Sequence, residues 1–512
     1  MNWGKKSRFT ILLTMMAAGA SVFAGCSDKP AATSSPAPTS EGDTGTSEPA
    51  KDILEITMMN LLVNPEPPKA DNPTLKAIEE YTQTKLEVTW VPDAAYIDKM
   101  NATLASSSLP KVLMVGDTKA PSIISSIRSG MFWEIGPYLK DYPNISKMNQ
   151  QVFNNIALDG KLYGIYRARP IARNGLVFRQ DWLDKLGLQQ PKTADDLYAV
   201  LQAFTKKDPD GNGKDDTFGM ALDKNFVIGG HMKNFQSWFG APNGWEVKDG
   251  KVTPDFMTEA YMDTLNFVRK LFNEKLINTD FPVAPAAQDF INQGKAGLTP
   301  WCLCSIDGPA FADLYKANPD AKLDMVNKLT GPKGDRTPAD PGYLGVFMFP
   351  KSSVKTENEL KRILQFFDKM ADEKMNFLLD YGIEGKHYKT DNGKPVIIDK
   401  ALYDREVNLY KQLKIADSSL NAFGSEVDKK RARFYEENER FAVPNPTYPL
   451  VSPTMAEKGN DLNKIVTDAA TKYIFGELDE AAWNKAIEQW RKSGGDKVME
   501  EYAAEYAKSQ KP

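Results

Sequence analysis

The chain has 512 residues, of which 41% are hydrophobic and 26% charged, with a formal net charge of -4. That composition is ordinary for a globular protein, and the length leaves room for about two or three domain-sized units. So small a net charge argues against a nucleic-acid footprint and against a polybasic membrane arm, and no polyanionic partner is indicated.

At the N-terminus, Lys5, Lys6 and Arg8 precede the run FTILLTMMAAGASVFAG, a charged segment followed by an apolar one of secretory length. The run is too short, and too rich in Ala, Gly, Ser and Thr, for a permanent membrane span. It ends in VFAGC, which resembles the lipobox of bacterial lipoproteins, where a small pair such as Ala24-Gly25 precedes the Cys that receives a lipid. The resemblance implies that residues 1–26 are a leader, that Cys26 becomes a lipidated N-terminus, and that the protein is exported and anchored to the outer face of the cell membrane. Phe23 stands where that family prefers Leu. Residues 27–51 carry no large apolar side chain and read as a disordered tether with a reach of roughly 25 to 30 Å.

The fold is expected to start near Asp52. LEITMMN and KLEVTWV are β-type runs on either side of NPTLKAIEEYTQT, whose Leu75, Ile78 and Tyr81 recur at helical spacing, and KVLMVG supplies another strand. Strand alternating with helix predicts βαβ units and a parallel sheet. The pattern returns after residue 175 with GLVFR, the helix TADDLYAVLQAFTKK, the strand TFGMAL, the helical AYMDTLNFVRKLFNEKL and the β-type AGLTPWCLC. Two α/β lobes are the economical reading. GYLGVFMFPK and ENELKRILQFFDKMADEKM add strand and helix again, and the remainder to Pro512 reads as largely helical.

Within the second series, KKDPDGNGKDDTFG places Asp208, Asp210 and Asn212 at the first, third and fifth positions of an EF-hand-like loop, with Gly213 at the sixth. Lys214 offers a backbone carbonyl at the seventh, and Asp216 ligates at the ninth directly or through water. The twelfth position is Gly219, so the bidentate Glu of a calcium sensor is missing. Crowded carboxylates disfavour a phosphate cradle, and the alternative is a plain turn of Asp, Asn and Gly. A bound calcium here is expected to be structural, because no second EF-hand supplies a bistable element. Cys302 and Cys304 in PWCLCS are expected to be buried small side chains, with a redox or metal pair as the alternative.

KMNATLASSSLPKVLMV, DGKLYGIYRARPIARNGLVFRQDWLDKLGLQQPKTADDLYAVLQAF, FGAPNGWEVKDGKV, INQGKAGLTPW and YGIEGKHYK together resemble the extracellular solute-binding proteins of ABC importers, in particular their oligosaccharide-binding lipoprotein branch. The resemblance runs from about residue 52 to near 500. It implies an α/β fold of two lobes, with mixed or parallel sheets flanked by helices and a ligand cleft between them, no catalysis, and delivery of a carbohydrate to ABC permease transmembrane subunits by a monomeric receptor. Relatives carry a similar calcium loop, often with Glu at the tenth position, where this chain has Thr217. By the same resemblance lobe one comprises residues 52–173 and a return segment 323–375, lobe two begins with 174–322, and the mainly helical 376–512 belongs largely to lobe two. The crossings are expected near RPIARNGLVF, GYLGVFMFPK and LLDYGIEG.

Sugar sites pair planar aromatics with carboxylates and amides. Trp301 is the leading aromatic candidate because it ends GKAGLTPW, a strand that in related sugar binders delivers an aromatic to the cleft, and Tyr343 and Tyr381 lie near the later crossings. Asn64, Asp117 and Asp223 follow strand carboxyl ends and are the polar candidates. Trp182 and Trp245 read as structural. An anchored polysaccharide hydrolase or lyase is the rival, since a carboxylate pair suffices for hydrolysis. Against it, the two histidines, His231 and His387, show no metal-ligand spacing and no G-x-S-x-G elbow is present.

Overall fold

The computed structural model describes residues 53–63, 66–106, 108–228, 230–306, 309–416 and 426–510. The leader, Cys26, the tether and the candidate ligand residue Asn64 lie outside these. The chain divides into the units Met1–Asp52 and Ile53–Pro512, and the described residues all belong to the second.

Nine strands among the described residues build the two large sheets: β1 Leu54–Leu62, β2 Thr84–Pro92, β3 Val112–Val115, β4 Gly164–Ala168, β5 Asn174–Arg179, β6 Phe218–Met220, β7 Ala296–Cys302, β8 Leu323–Val326 and β9 Tyr343–Met348. The first sheet runs β2-β1-β3-β9-β4, parallel from β2 through β3 and antiparallel on both sides of β9. The second runs β8-β5-β7-β6, with β5 antiparallel to both neighbours and β6 parallel to β7. Both sheets are mixed. Val112–Val115 is buried at every position, as expected of a strand covered on both faces.

Local chemistry sets the helices between them. Asn72 accepts hydrogen bonds from Thr74 N and Leu75 N at 2.8 and 3.3 Å, and Pro73 opens the helix Pro73–Thr82 with its φ already set. Thr193 and Asp196 form a capping box ahead of Ala194–Lys206, whose Leu197, Val200, Leu201 and Phe204 make one buried stripe. Phe204 packs so closely over β7 that a Cβ at Gly297 would stand 2.1 Å from its ring. That glycine lets the strand carrying Trp301 lie flat under the helix.

Three buried clusters result. The first holds Ile56, Met58, Leu113, Ile165, Phe347 and Phe367, the second holds Phe178, Trp182, Phe204, Leu265, Leu298 and Trp483, and a smaller third, also built on the second sheet, holds Val177, Phe311, Met325 and Tyr435. The chain passes from β4 to β5 through 169–173 and returns to β9 through 339–342, which are the first two crossings.

Two expected boundaries move. Residues 323–326, assigned to the lobe-one return segment, form β8 and pair with β5 in the second sheet, so the return begins at β9. The crossing expected at LLDYGIEG is a turn within lobe one: Gly382, at φ 79, caps the helix Glu373–Tyr381 and folds around buried His387. Leu379, Tyr410, Leu413 and Ile415 all belong to the first core, whereas Tyr435 packs on the second side. The third passage therefore comes after Ile415 and before Tyr435. A glycine-rich turn carries the same sequence signal whether it caps a helix or leaves a lobe.

Candidate functional site

The crossings are tied to each other by hydrogen bonds. Arg169 N donates to Gly342 O at 3.0 Å, Asp340 N to Ile171 O at 2.6 Å, and Ala168 N to Ile415 O at 3.3 Å. Asp340 Oδ2 accepts from Arg173 Nε at 3.1 Å and from Asn174 Nδ2 at 3.4 Å. Asn243 Nδ2 donates to Ala339 O at 2.7 Å and to Val443 O at 2.9 Å. Few, short connections of this kind allow two lobes to change angle without breaking either core.

Against these crossings lies a pocket of about 270 Å³ lined by Arg173, Asn174, His231, Lys233, Asn243, Trp301, Asp340 and Tyr448, among others. Trp301 is the penultimate residue of β7, and the His231 ring stacks on it with centroids 5.2 Å apart and planes at 19°. Burial holds the His231 imidazole below its ordinary value against the opposing charges of Asp223 and Asp340, so it is neutral at neutral pH. Tyr448 donates its hydroxyl to Ala339 O at 3.3 Å. Burial pushes that hydroxyl up, reinforced by Asp340 and Tyr343. The pocket thus offers planar rings, one carboxylate, two amides and two cations.

The predicted ligand residues divide. Trp301 lines the pocket. Tyr343 opens β9 beside Tyr448, and burial, with the nearby Asp117 charge, pushes its hydroxyl up to about 12. Asp117 is exposed beyond β3 and accepts from Lys119 N at 2.7 Å. The two are neighbours on lobe one, and neither is among the lining residues of the pocket. Asp223 is buried and accepts from Asn225 N at 2.9 Å; it shapes a turn and reaches the site only through its charge on His231. Tyr381 sits in an aromatic cluster with Phe377 and Tyr388 and is not part of the pocket wall. Sequence reasoning passes over Arg173, Lys233, Asp340 and Tyr448. Arg173 is within its reach, since it stands inside the expected crossing RPIARNGLVF; PTYPL around Tyr448 carries no pattern that marks a cleft.

Cys302 and Cys304 form a disulfide, correcting the expectation of two separate buried thiols. Strand geometry ends at Cys302 and Leu303–Ser305 is a 3-10 turn, which brings the two Cα atoms to 5.1 Å. Extended spacing would have kept them further apart. His387, by contrast, is a satisfied core residue: its Nδ1 accepts from Ile383 N at 2.9 Å and its Nε2 lies 3.0 Å from Glu406 Oε2. Trp182 packs edge-on against Phe204 at 5.4 Å and Trp245 against Tyr502 at 5.0 Å, both in the second core.

In the loop after Ala194–Lys206, Asp208 Oδ1 accepts from Gly211 N and Asn212 N at 2.9 and 3.0 Å, and Oδ2 from Gly213 N at 3.1 Å. Asn212 Nδ2 bridges Asp210 Oδ2 and Asp216 Oδ1 at 2.7 and 3.0 Å. Burial works to raise the Asp208 carboxyl, but hydrogen bonds led by Gly213 hold it below its ordinary value, while burial and Asp208 itself push Asp210 up. Among the described residues no group of three or more His, Cys, Asp or Glu side chains is gathered as a ready metal centre. The fit to a cation rests on the order of the loop's oxygens along the chain.

The family described as bacterial extracellular solute-binding protein matches residues 65–376. Polygalacturonan/rhamnogalacturonan-binding protein YtcQ of Bacillus subtilis strain 168 is 41% identical over 506 residues, covering 98% of each chain. Lipoprotein LipO of the same organism is 40% identical over 475 residues, covering 90% of this chain and 93% of the other. Among solved structures, an HMO-binding, ABC-transporter-associated solute-binding protein from Bifidobacterium longum infantis aligns with a TM-score of 0.66 at 20% identity, covering 90% of this chain and all of its own.

Proposed function

We propose, from the premise that this chain belongs to the bacterial extracellular solute-binding protein family, that it is a receptor which closes two lobes over an oligosaccharide and delivers it to an ABC permease. The observation that carries this reading is Trp301, held at the end of β7 in a pocket built on the lobe crossings. An indole beside carboxylate, amide and cationic groups suits a pyranose, which shows one weakly apolar face and a rim of hydroxyls. Relatives named for polygalacturonan binding and lipoprotein character support the ligand class and the anchor. The receptor is a monomer held to the outer face of the membrane through Cys26, and it performs no chemistry on its ligand.

Closure follows from differential contact. A saccharide shifts the lobes only as far as it binds the closed form better than the open one, so ring contact at Trp301 on lobe two must be matched by polar contacts on lobe one, for which Tyr343 and Asp117 are the candidates. Calcium at Asp208, Asp210, Asn212, the Lys214 carbonyl and Asp216 would brace the entry to β6, away from ligand chemistry. The test is thermal unfolding against purified oligosaccharides, followed by analysis of the recovered sugar. A saturable rise with unchanged sugar supports the receptor, since a native-state ligand stabilises by mass action; shortened or unsaturated sugar would make the protein a hydrolase or lyase.

A further inference from the structure

We propose that this pocket grips a carboxylate of the captured saccharide between Lys233 and the outer fork of Arg173, so that the receptor selects acidic over neutral sugars. The proposal rests on the receptor reading above and adds the ligand's charge and the residues that sense it.

The pocket lining carries two cations, Arg173 and Lys233, and one anion, Asp340, in a chain whose net charge is -4. Asp340 is already engaged, by Arg173 Nε and Asn174 Nδ2 through a single oxygen. Arg173 is thereby oriented through Nε alone, and its two Nη groups have no partner among the described residues. An Arg fork fixed on one edge presents its remaining N–H pair in the geometry that carboxylates accept.

Lys233 makes no side-chain hydrogen bond or ion pair among the described residues. It is half-buried, and a Cβ added to Gly244 would stand 4.0 Å from its Nζ, which places the ammonium against the Gly244 backbone. The charge that faces it is Asp255, fully buried behind that wall, whose carboxyl is pushed by burial up to about 7. Below neutral pH that neighbour is largely protonated and leaves the ammonium uncompensated. Trp301 Nε1, also buried, has no hydrogen-bond partner either. The site therefore has spare donors and spare positive charge, alongside unused acceptors at Asn243 Oδ1 and the second oxygen of Asp340. Closing the lobes over a neutral sugar would strip water from Lys233 without a counter-charge, which is unfavourable, whereas a uronate supplies one.

The experiment is calorimetric titration of the full chain in detergent with oligogalacturonates, with the same oligomers fully methyl-esterified, and with neutral oligosaccharides of matched length. The free acid should bind at least about tenfold more tightly than its ester, the scale of one charge-assisted hydrogen bond. Lys233→Met should remove most of that preference, Lys233→Arg should keep it, and unchanged melting temperatures would show that both variants fold. Equal binding of acid and ester, or tight binding of a neutral sugar alone, would overturn the inference and leave the receptor reading standing. Binding of no saccharide would overturn both.

Discussion

Replacing Asp255 with Asn is expected to stabilise the second lobe above neutral pH. Asp255 is 6% exposed, and burial lifts its carboxyl to about 7 against the pull of Lys233 and of the Phe256 and Gly244 backbone. In the unfolded chain the same group ionises near pH 4. Between those values the folded form holds a proton that the unfolded form has released, so stability is greatest below pH 4 and is lost as pH rises towards 7. A displacement of about three pH units corresponds to a loss on the order of 4 kcal/mol, complete above pH 7. Asn keeps the size of the side chain and removes the ionisation. Urea unfolding of the wild type and Asp255→Asn at pH 4.5, 6 and 8, followed by tryptophan fluorescence, should show the two curves separating in favour of the variant as pH rises. A variant destabilised by the same amount at every pH would refute the reasoning, and would mean that Lys233 keeps Asp255 charged in the folded state.

Trp301→Ala removes the indole and its stack on His231. Saccharide affinity measured by calorimetry should fall by about 2 to 3 kcal/mol, roughly 30- to 150-fold. A drop in melting temperature with affinity unchanged would assign Trp301 to packing instead. Chelator should lower the melting temperature equally with and without sugar, and Asp208→Asn should abolish that response. A calcium level about a hundredfold above the dissociation constant would contribute about 3 kcal/mol, and a melting temperature indifferent to chelator would make the loop a plain turn.

The elements legible in the sequence are those whose signal is local. Buried VLMV, the Thr193 capping box and the stripe through Leu197 and Phe204 each announce their structure within a few residues. Trp301 is legible for the same reason, standing at the end of a strand that the AGLTPW run marks. What stays hidden depends on pairings distant in sequence. β8 lies outside every strand expected from the sequence, and its register against β5 puts it in the second sheet. Asp340 becomes a site residue only because Arg173, far earlier in the chain, points back to it. Lys233 and Tyr448 lie on different segments whose meeting no periodicity records. The Cys302–Cys304 bond escapes the sequence because a single turn, Leu303–Ser305, replaces the extended spacing that the preceding strand implies.

Asp340 shows why the pocket and the hinge need not be separate devices. Its backbone N–H ties the second crossing to the first through Ile171 O, and its carboxylate takes Arg173 Nε from that same first crossing. An anion seated on the outer fork of Arg173 would therefore pull on a side chain whose other edge already fixes the relation of the two crossings. Occupancy and lobe angle then share a residue pair, and no chain of intermediates between distant sites has to be invoked. A neutral substitute at this position, Asp340→Asn, would retain an acceptor for Arg173 Nε but not the charge that holds the guanidinium in place. The ligand would then meet an Arg free to turn, and the free energy of binding would go into ordering that side chain before it could favour closure.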